Sequence, residues 1–207
     1  VMRISFISGL FILILASCSF CQNGKTLPLR LTNALVRPLL CYNQNTLSFQ
    51  LKPEYDHLRI PFSNSEKKIV PKGDNYGCNM ISTDGRYYPV ATYKYKGGQA
   101  YKLIVYHITG DSDTDILVTQ LNSYKQDSLI DALILEMNFT FETQIYSRYS
   151  VNDSVAVIDR YEVNDILYDE ESGDILGTKS KPDTVVHRSV YKIINGRFVK
   201  KQDKRIM

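Results

Sequence analysis

Along the second half of the chain, apolar residues recur at every second position, which is the period of a β-strand. The clearest example spans residues 99–108, where Tyr101, Leu103 and Val105 share one face. The even positions from 104 to 108 carry Ile, Tyr and Ile on the other face. Because both faces are apolar, we expect a central strand that is covered on both sides.

Glycine-containing pairs mark the turns between these segments. Gly97-Gly98 and Asn195-Gly196 each predict a hairpin, because such residues adopt positive φ readily, and Asn-Gly is typical of a type I′ turn. The clearest strands predicted around the turns are 87–93, 99–108, 116–121, 129–137, 185–194 and 197–200.

The remaining segments give weaker patterns. Residues 139–149 predict a single half-buried strand, and residues 155–163 continue the alternation with Val155 and Val157 on the buried face. Residues 33–78 predict short strands or one short helix joined by loops. The basic run at 200–205 is expected to be a solvated tail.

No segment of the mature chain sustains a helical period over three turns, so the sequence predicts an all-β fold. Residues 27–207 are expected to form a single domain, an antiparallel meander folded as a β-sandwich or partly closed barrel. A propeller-like arrangement is the alternative, although no internal repeat requires it.

Composition and charge exclude few functions. The chain has 207 residues, of which 43% are hydrophobic and 23% charged, and these values are typical of one globular domain. The net charge of +3 does not by itself indicate nucleic-acid binding, and we expect no nucleic-acid partner.

The N-terminal residues predict export and lipidation. Arg3 precedes an apolar run at 4–16, which has the length of a signal-peptide core and is too short for a membrane-spanning helix. The run ends in LASC at 15–18, which resembles the lipobox of bacterial lipoproteins. The resemblance implies a signal peptide at 1–17, acyl chains such as palmitate on Cys18, and a tether at 18–26. An ordinary signal peptide with a plain secreted product is the alternative.

The residue after the anchor bears on the location. Ser19 is not Asp, and by resemblance to lipoprotein sorting this implies the outer membrane of the cell envelope. The surface-export signal of Bacteroidetes lipoproteins has acidic residues here, and residues 19–25 have none. Surface and periplasmic exposure therefore both stay open.

The order of features resembles the small uncharacterised lipoproteins of Bacteroidetes. The similar motifs are LPL at 27–29, YPV at 88–90, LIVY at 103–106, LVT at 117–119, LID at 129–131 and YKIINGRF at 191–198. These are strand and turn motifs, so the resemblance implies an all-β architecture and no transferable activity.

The cysteines allow one disulfide in an oxidising compartment. If Cys18 carries lipid, three thiols remain, of which Cys41 and Cys78 lie in the folded body and Cys21 in the tether. A bond between Cys41 and Cys78 is one possibility, and the absence of any disulfide is the other.

The search for catalytic chemistry is largely negative, and we expect no enzyme, cofactor or metal. Nucleophile-elbow, P-loop and zinc-protease motifs are absent from the sequence of the mature chain. His57, His107 and His187 are widely spaced. Asp131 and Glu136 are carboxylates in an apolar strand, where a glycosidase would need two facing carboxyls, and both are expected to point to solvent.

Tyrosines give the best indication of function. Six of the fifteen fall in the predicted hairpin around Gly97-Gly98, and Tyr93 and Tyr95 share a face near its turn. Because tyrosine suits glycan and protein recognition, we expect a non-catalytic, membrane-anchored binding or structural module with a glycan or protein partner. The alternative is a small envelope hydrolase or sugar-processing enzyme whose site is assembled from dispersed residues.

Overall fold

The computed structural model describes residues 29–44, 48–74, 85–110 and 113–207. The predicted signal peptide, the tether and the first two residues of the predicted domain lie outside these ranges. The described part is mostly β, with one ten-stranded antiparallel sheet and one two-stranded sheet. Among the described residues, no helix is both long enough and apolar enough to span a bilayer.

The strands follow the chain in order and form a meander. They are β1 (Arg30–Thr32), β2 (Leu40–Asn43), β3 (Ser48–Leu51), β4 (Ile60–Pro61), β5 (Arg86–Lys94), β6 (Gln99–Thr109), β7 (Asp115–Lys125), β8 (Ser128–Thr140), β9 (Gln144–Asn152), β10 (Val155–Tyr168), β11 (Ile175–Ile194) and β12 (Arg197–Arg205). In the large sheet β4 to β12 lie side by side in sequence order, and β1 pairs with β9. Short 3₁₀ helices are Asn33–Leu35, Arg37–Leu39, Pro53–Leu58, Glu66–Lys68 and Lys96–Gly98.

The sheet folds over between β8 and β9. β8 pairs with β7 along most of its length, but with β9 only at Phe139 and Thr140. β4 to β8 therefore form a first layer and β9 to β12 a second layer. The predicted all-β antiparallel meander is confirmed, and the described strands do not close into a barrel.

The main hydrophobic core lies between the two layers. Its buried side chains are Leu29, Leu31, Val36, Tyr101, Leu103, Val105, Leu117, Leu121, Leu133, Leu135, Tyr149, Val151, Ala156, Ile158, Tyr191 and Phe198. A second core covers the outer face of the first layer, where Phe62 packs on Tyr87 and Tyr106 with ring centroids 4.7 and 5.3 Å apart. β6 contributes to both cores, as its two apolar faces predicted.

Turn residues account for the hairpins. Gly97 and Gly98 have φ values of 76° and 74°, and Asn195 and Gly196 have 50° and 78°, so both predicted hairpins are confirmed. A Cβ on Gly196 would lie 2.7 Å from atoms of Gln99 and Ile130, so this turn also requires glycine for its close packing.

Three local predictions are wrong. Residues 141–143 form a turn, so 139–149 is divided between two strands and Phe141 is exposed. In β10 the side chains of Ala156 and Ile158 face the main core and are buried. Val155 and Val157 are only partly buried, so the predicted buried face is wrong. Residues 200–205 are the last part of an edge strand that pairs with β11, and not a tail.

Candidate functional site

A cleft of about 330 Å³ opens between β8 and the inner face of the second layer, and we call it the main cleft. Residues 70–74, which we call the strap, contribute to its rim. The polar residues that line it are Asp74, Glu136, Ser147, Arg160, His187, Ser189, Lys200 and Asp203. A cleft of this volume is at the lower end of the range found for small-ligand sites.

Neutral amides hold the carboxyl group of Glu136 in the wall of the main cleft. Asn33 Nδ2 donates to Glu136 Oε2 at 2.9 Å and to the backbone oxygen of Ser147 at 2.9 Å. Asn138 Nδ2 donates to Glu136 Oε1 at 3.4 Å. The Asn33 side chain also accepts the backbone N–H of Tyr149 at 2.9 Å, so its orientation is fixed.

Burial raises the pKa of Glu136 to about 7, although hydrogen bonds from Asn138, Ser147 and Asn33 oppose the shift. A carboxyl with such a pKa exists in both protonation states near neutral pH. It therefore accepts hydrogen bonds when ionised and also donates one when protonated.

The cations of the main cleft are paired with acidic neighbours. Arg160 on β10 forms ion pairs with Asp74 of the strap and with Glu162. Lys200 Nζ lies 2.5 Å from Asp203 Oδ2, and this hydrogen bond raises the pKa of Lys200 and lowers that of Asp203. The lining therefore offers both donors and acceptors, with charges that largely balance.

Gly73 sets the position of the strap against β8. Lys72 forms a parallel bridge with Leu133, in which its N–H donates to Ala132 and its carbonyl accepts from Ile134, both at 2.8 Å. Gly73 follows with φ +107°, and a Cβ there would lie 2.9 Å from the carbonyl oxygen of Ile134. Only glycine fits this conformation and approach, so the next residue, Asp74, reaches Arg160.

A second, smaller cleft of about 230 Å³ lies on the first layer, beside the β2–β3 hairpin. His107 Nδ1 lies 2.9 Å from Asp115 Oδ1, while Gln50 and Ser48 donate to Asp115 Oδ2 at 3.0 and 3.3 Å. Burial opposes the ionised form of Asp115, but the contacts with His107, Gln50 and Ser48 together outweigh it and lower the pKa of Asp115. The arrangement attaches the β2–β3 hairpin to β7.

The tyrosines predicted to bind a partner are half-buried. Tyr93 and Tyr95 both pack against the main core, which agrees with their shared face. Tyr95 OH donates to Asp153 at 2.7 Å, and its ring meets that of Tyr101 edge to face at 5.7 Å. Neither residue lines the main cleft.

The predicted cysteine chemistry stays a prediction. Cys18 and Cys78 lie outside the described residues, so neither lipidation nor the pairing of Cys41 with Cys78 is tested. Cys41 lies on β2, half-buried, with its thiol 3.7 Å from the backbone oxygen of Gln50.

The two strand carboxylates do not point to bulk solvent, and the expectation for them is wrong. Asp131 is 4% exposed and accepts hydrogen bonds from Lys72 and from the backbone of Phe198. Glu136 lines the main cleft. Their position in an apolar strand could have indicated burial, because half of the side chains of such a strand face a core. Nothing local to Asn33 or Arg160 indicated that they would join this site.

Comparisons with known proteins do not assign this site. The scan against protein-family models found no match, and neither the curated proteins nor the solved structures gave a significant match. Within the described residues, no group of three or more His, Cys, Asp or Glu side chains is placed to hold a metal ion.

Proposed function

We propose that this chain is a non-catalytic, lipid-anchored binding module of the cell envelope, and that a glycan is its ligand in the main cleft. The observation that carries the proposal is the balanced polar lining around Glu136. A sugar presents hydroxyl groups that both donate and accept hydrogen bonds. Carboxylates accept from such groups, and arginine, lysine and histidine donate to them.

The shape of the site favours a small polar ligand over a protein. A stable protein interface buries roughly 800 Å² on each partner, usually over an open surface. The main cleft is concave, and charged groups from the strap, β8, β10 and β12 line it. One or two sugar rings fit a volume of about 330 Å³ better than a folded partner does.

The lipid anchor rests on the lipobox that ends at Cys18, and the outer membrane rests on Ser19, which is not Asp. Several acyl chains on one cysteine anchor firmly, because each buried CH₂ contributes about 0.8 kcal/mol. We expect Cys18→Ala to release the protein from membranes. If the variant still pellets with membranes after a high-salt wash, the anchor is wrong.

The glycan proposal is tested by a glycan array followed by titration calorimetry on the best ligand. We expect Glu136→Gln and Arg160→Met each to weaken binding about tenfold, since each removes a group that faces the ligand. Lys68→Met is the matched control, because Lys68 is exposed and does not line the main cleft. Absence of any glycan ligand, or equal loss in the control, would refute the proposal.

A small envelope hydrolase is the second candidate, and the raised pKa of Glu136 favours it. A general acid works best with a pKa near the working pH. Burial raises the pKa of Glu136 to about 7, and the carboxylates of Asp74 and Asp203 line the same cleft. Release of reducing sugar from a bound glycan would support this candidate. It would then be expected that Glu136→Gln abolishes release while binding persists.

A further inference from the structure

The hairpin formed by the ends of β10 and β11 projects beyond the rest of the sheet, and we call residues 164–183 the arm. β9 pairs with β10 only as far as Val163, and β12 ends where Ile206 and Met207 bond to Val186. Both edges of the arm therefore lack a neighbouring strand among the described residues. Two-stranded ribbons of this kind are at best marginally stable in water on their own.

Large apolar side chains are exposed on the arm. Leu167 is 42% exposed, Ile175 66% and Leu176 62%. Apolar residues that stand close together in this way on an unpaired ribbon favour a docking surface rather than a freely solvated hairpin.

The arm is acidic. It carries six acidic and two basic residues, for a net charge of −4, and four of the acidic residues lie in its tip at 169–174. The last segment of the chain, residues 197–207, has the opposite character, with five basic residues and one acidic residue for a net charge of +4. We call this segment the basic edge.

The basic edge is an exposed sheet border. β12 pairs with β11 on one side. On its other side, within the part of the chain that the structure describes, only Phe198 is bonded, to Lys72 and Asp131. Lysines on such a border hinder pairing with a second basic border, because like charges would be brought together. An acidic strand meets no such barrier.

The acidic tip and the basic edge of one copy do not meet. Arg205 on β12 pairs with His187 on β11, and His187 pairs with Arg160 on β10, so these three residues lie in one row across the sheet. The acidic tip begins just after Tyr168, which lies eight residues beyond Arg160 along β10. At about 3.3 Å per residue this separation is about 26 Å. The screening length at physiological salt is about 8 Å, so the attraction within one copy is negligible.

We infer that the arm of one copy docks on the basic edge of a second copy. Acidic side chains of the tip then meet Lys201 and Lys204, and the apolar residues of the arm meet Ile206 and Met207, which are 42% and 59% exposed. The contact uses different surfaces on the two partners.

A charge-swap experiment tests this association, with sedimentation velocity of the full chain in mild detergent from roughly 1 to 200 µM. We expect the parent to self-associate, with weaker association at high salt. Glu170→Lys with Glu171→Lys, and separately Lys201→Glu with Lys204→Glu, should each weaken it at least about tenfold. All four changes in one chain should restore it.

Lys67→Glu with Lys68→Glu is the matched control, because both lysines are exposed and lie outside both surfaces. Circular dichroism of each variant establishes that it is folded. A monomeric parent, an equal effect in the control, or a four-fold variant that fails to associate would overturn the inference. A monomeric parent whose basic edge binds vesicles of anionic lipid would assign that edge to a membrane instead.

Discussion

Lys72 Nζ lies 2.6 Å from Asp131 Oδ2, and this ion pair joins three segments that are distant in the sequence. Lys72 also donates to the backbone oxygen of Phe198 at 2.7 Å, and Phe198 N–H donates to Asp131 at 2.8 Å. The strap, β8 and β12 are thereby fixed to one another. Since the strap also carries Asp74, the pair positions one side of the main cleft.

We predict that Lys72→Met destabilises the protein by about 2 to 3 kcal/mol, because it leaves the Asp131 carboxylate buried without its cation. The loss stays below that of a fully enclosed pair, since the Lys72 side chain is 43% exposed. Urea unfolding measures the change.

Lys68→Met, at an exposed position, is the control for this substitution and should change stability by less than about 0.5 kcal/mol. The double variant Lys72→Met with Asp131→Asn should recover part of the loss, because no charge is then left unpaired. Equal stability of Lys72→Met and its control would contradict the role of the pair.

Strand identity could be predicted from the sequence, because periodicity and turn chemistry are local. β6 shows this best, with its alternate residues divided between two cores as expected. The predicted strands 116–121 and 129–137 leave a connection between them, but the sequence does not indicate a tight turn at Gln126 and Asp127. Non-glycine residues adopt positive φ there, at 50° and 62°. The pair Gln-Asp is not typical of such a turn, so the local sequence does not predict positive φ at these two residues.

The site could not be predicted, because it depends on how the sheet folds over. Glu136 was identified as a carboxylate in an apolar strand, but its partner Asn33 lies 103 residues earlier. The prediction also chose the wrong buried face of β10. Arg160 lies on the same face as Ile158, so its place in the cleft was not predicted. Long-range contacts decided each of these points.

We predict that acid weakens the contacts by which Glu66 holds residues 53–74 against the first layer. Burial alone would raise the pKa of Glu66, but hydrogen bonds from Tyr124 and Ser63 and the charge of Lys102 outweigh it and lower the pKa from 4.5 to about 2. Because the folded-state pKa is depressed, the stabilisation is present above pH 4.5 and is lost as the pH falls towards 2.

The size of this loss should be about 2 kcal/mol, measured as the free energy of unfolding at a series of pH values. Glu66→Gln should remove that part of the pH dependence. Glu54→Gln serves as the control, because Glu54 is exposed and its change should leave the profile unaltered. An unchanged acid limb in Glu66→Gln would refute the role of Glu66.

We predict the opposite pH dependence for Glu136. Its folded-state pKa is raised from 4.5 to about 7, so the folded state retains a proton that the unfolded state releases. Stability should therefore fall as the pH rises from 4.5 to 7, by about 2 kcal/mol, since Glu136 borders the cleft and is not fully shielded from solvent. Glu136→Gln should abolish this fall, and a direct NMR titration of the carboxyl should give a midpoint near 7.

We predict that two tyrosine-to-phenylalanine changes have opposite effects on stability. Tyr149 is 4% exposed, and its hydroxyl has no hydrogen-bond partner among the described residues. Tyr106 is 5% exposed, and its hydroxyl donates to Gln120 Oε1 at 2.7 Å. Removal of an unsatisfied buried hydroxyl is favourable, whereas removal of a bonded one leaves the amide oxygen of Gln120 without its donor. Tyr149→Phe should thus raise the free energy of unfolding by about 1 kcal/mol, and Tyr106→Phe should lower it by about 1 kcal/mol.

Both substitutions remove one oxygen from a buried ring, so their difference in urea unfolding isolates the hydrogen bond. A loss of stability in Tyr149→Phe equal to that in Tyr106→Phe would mean that the Tyr149 hydroxyl is bonded, for which a water molecule in the main core is the simplest partner.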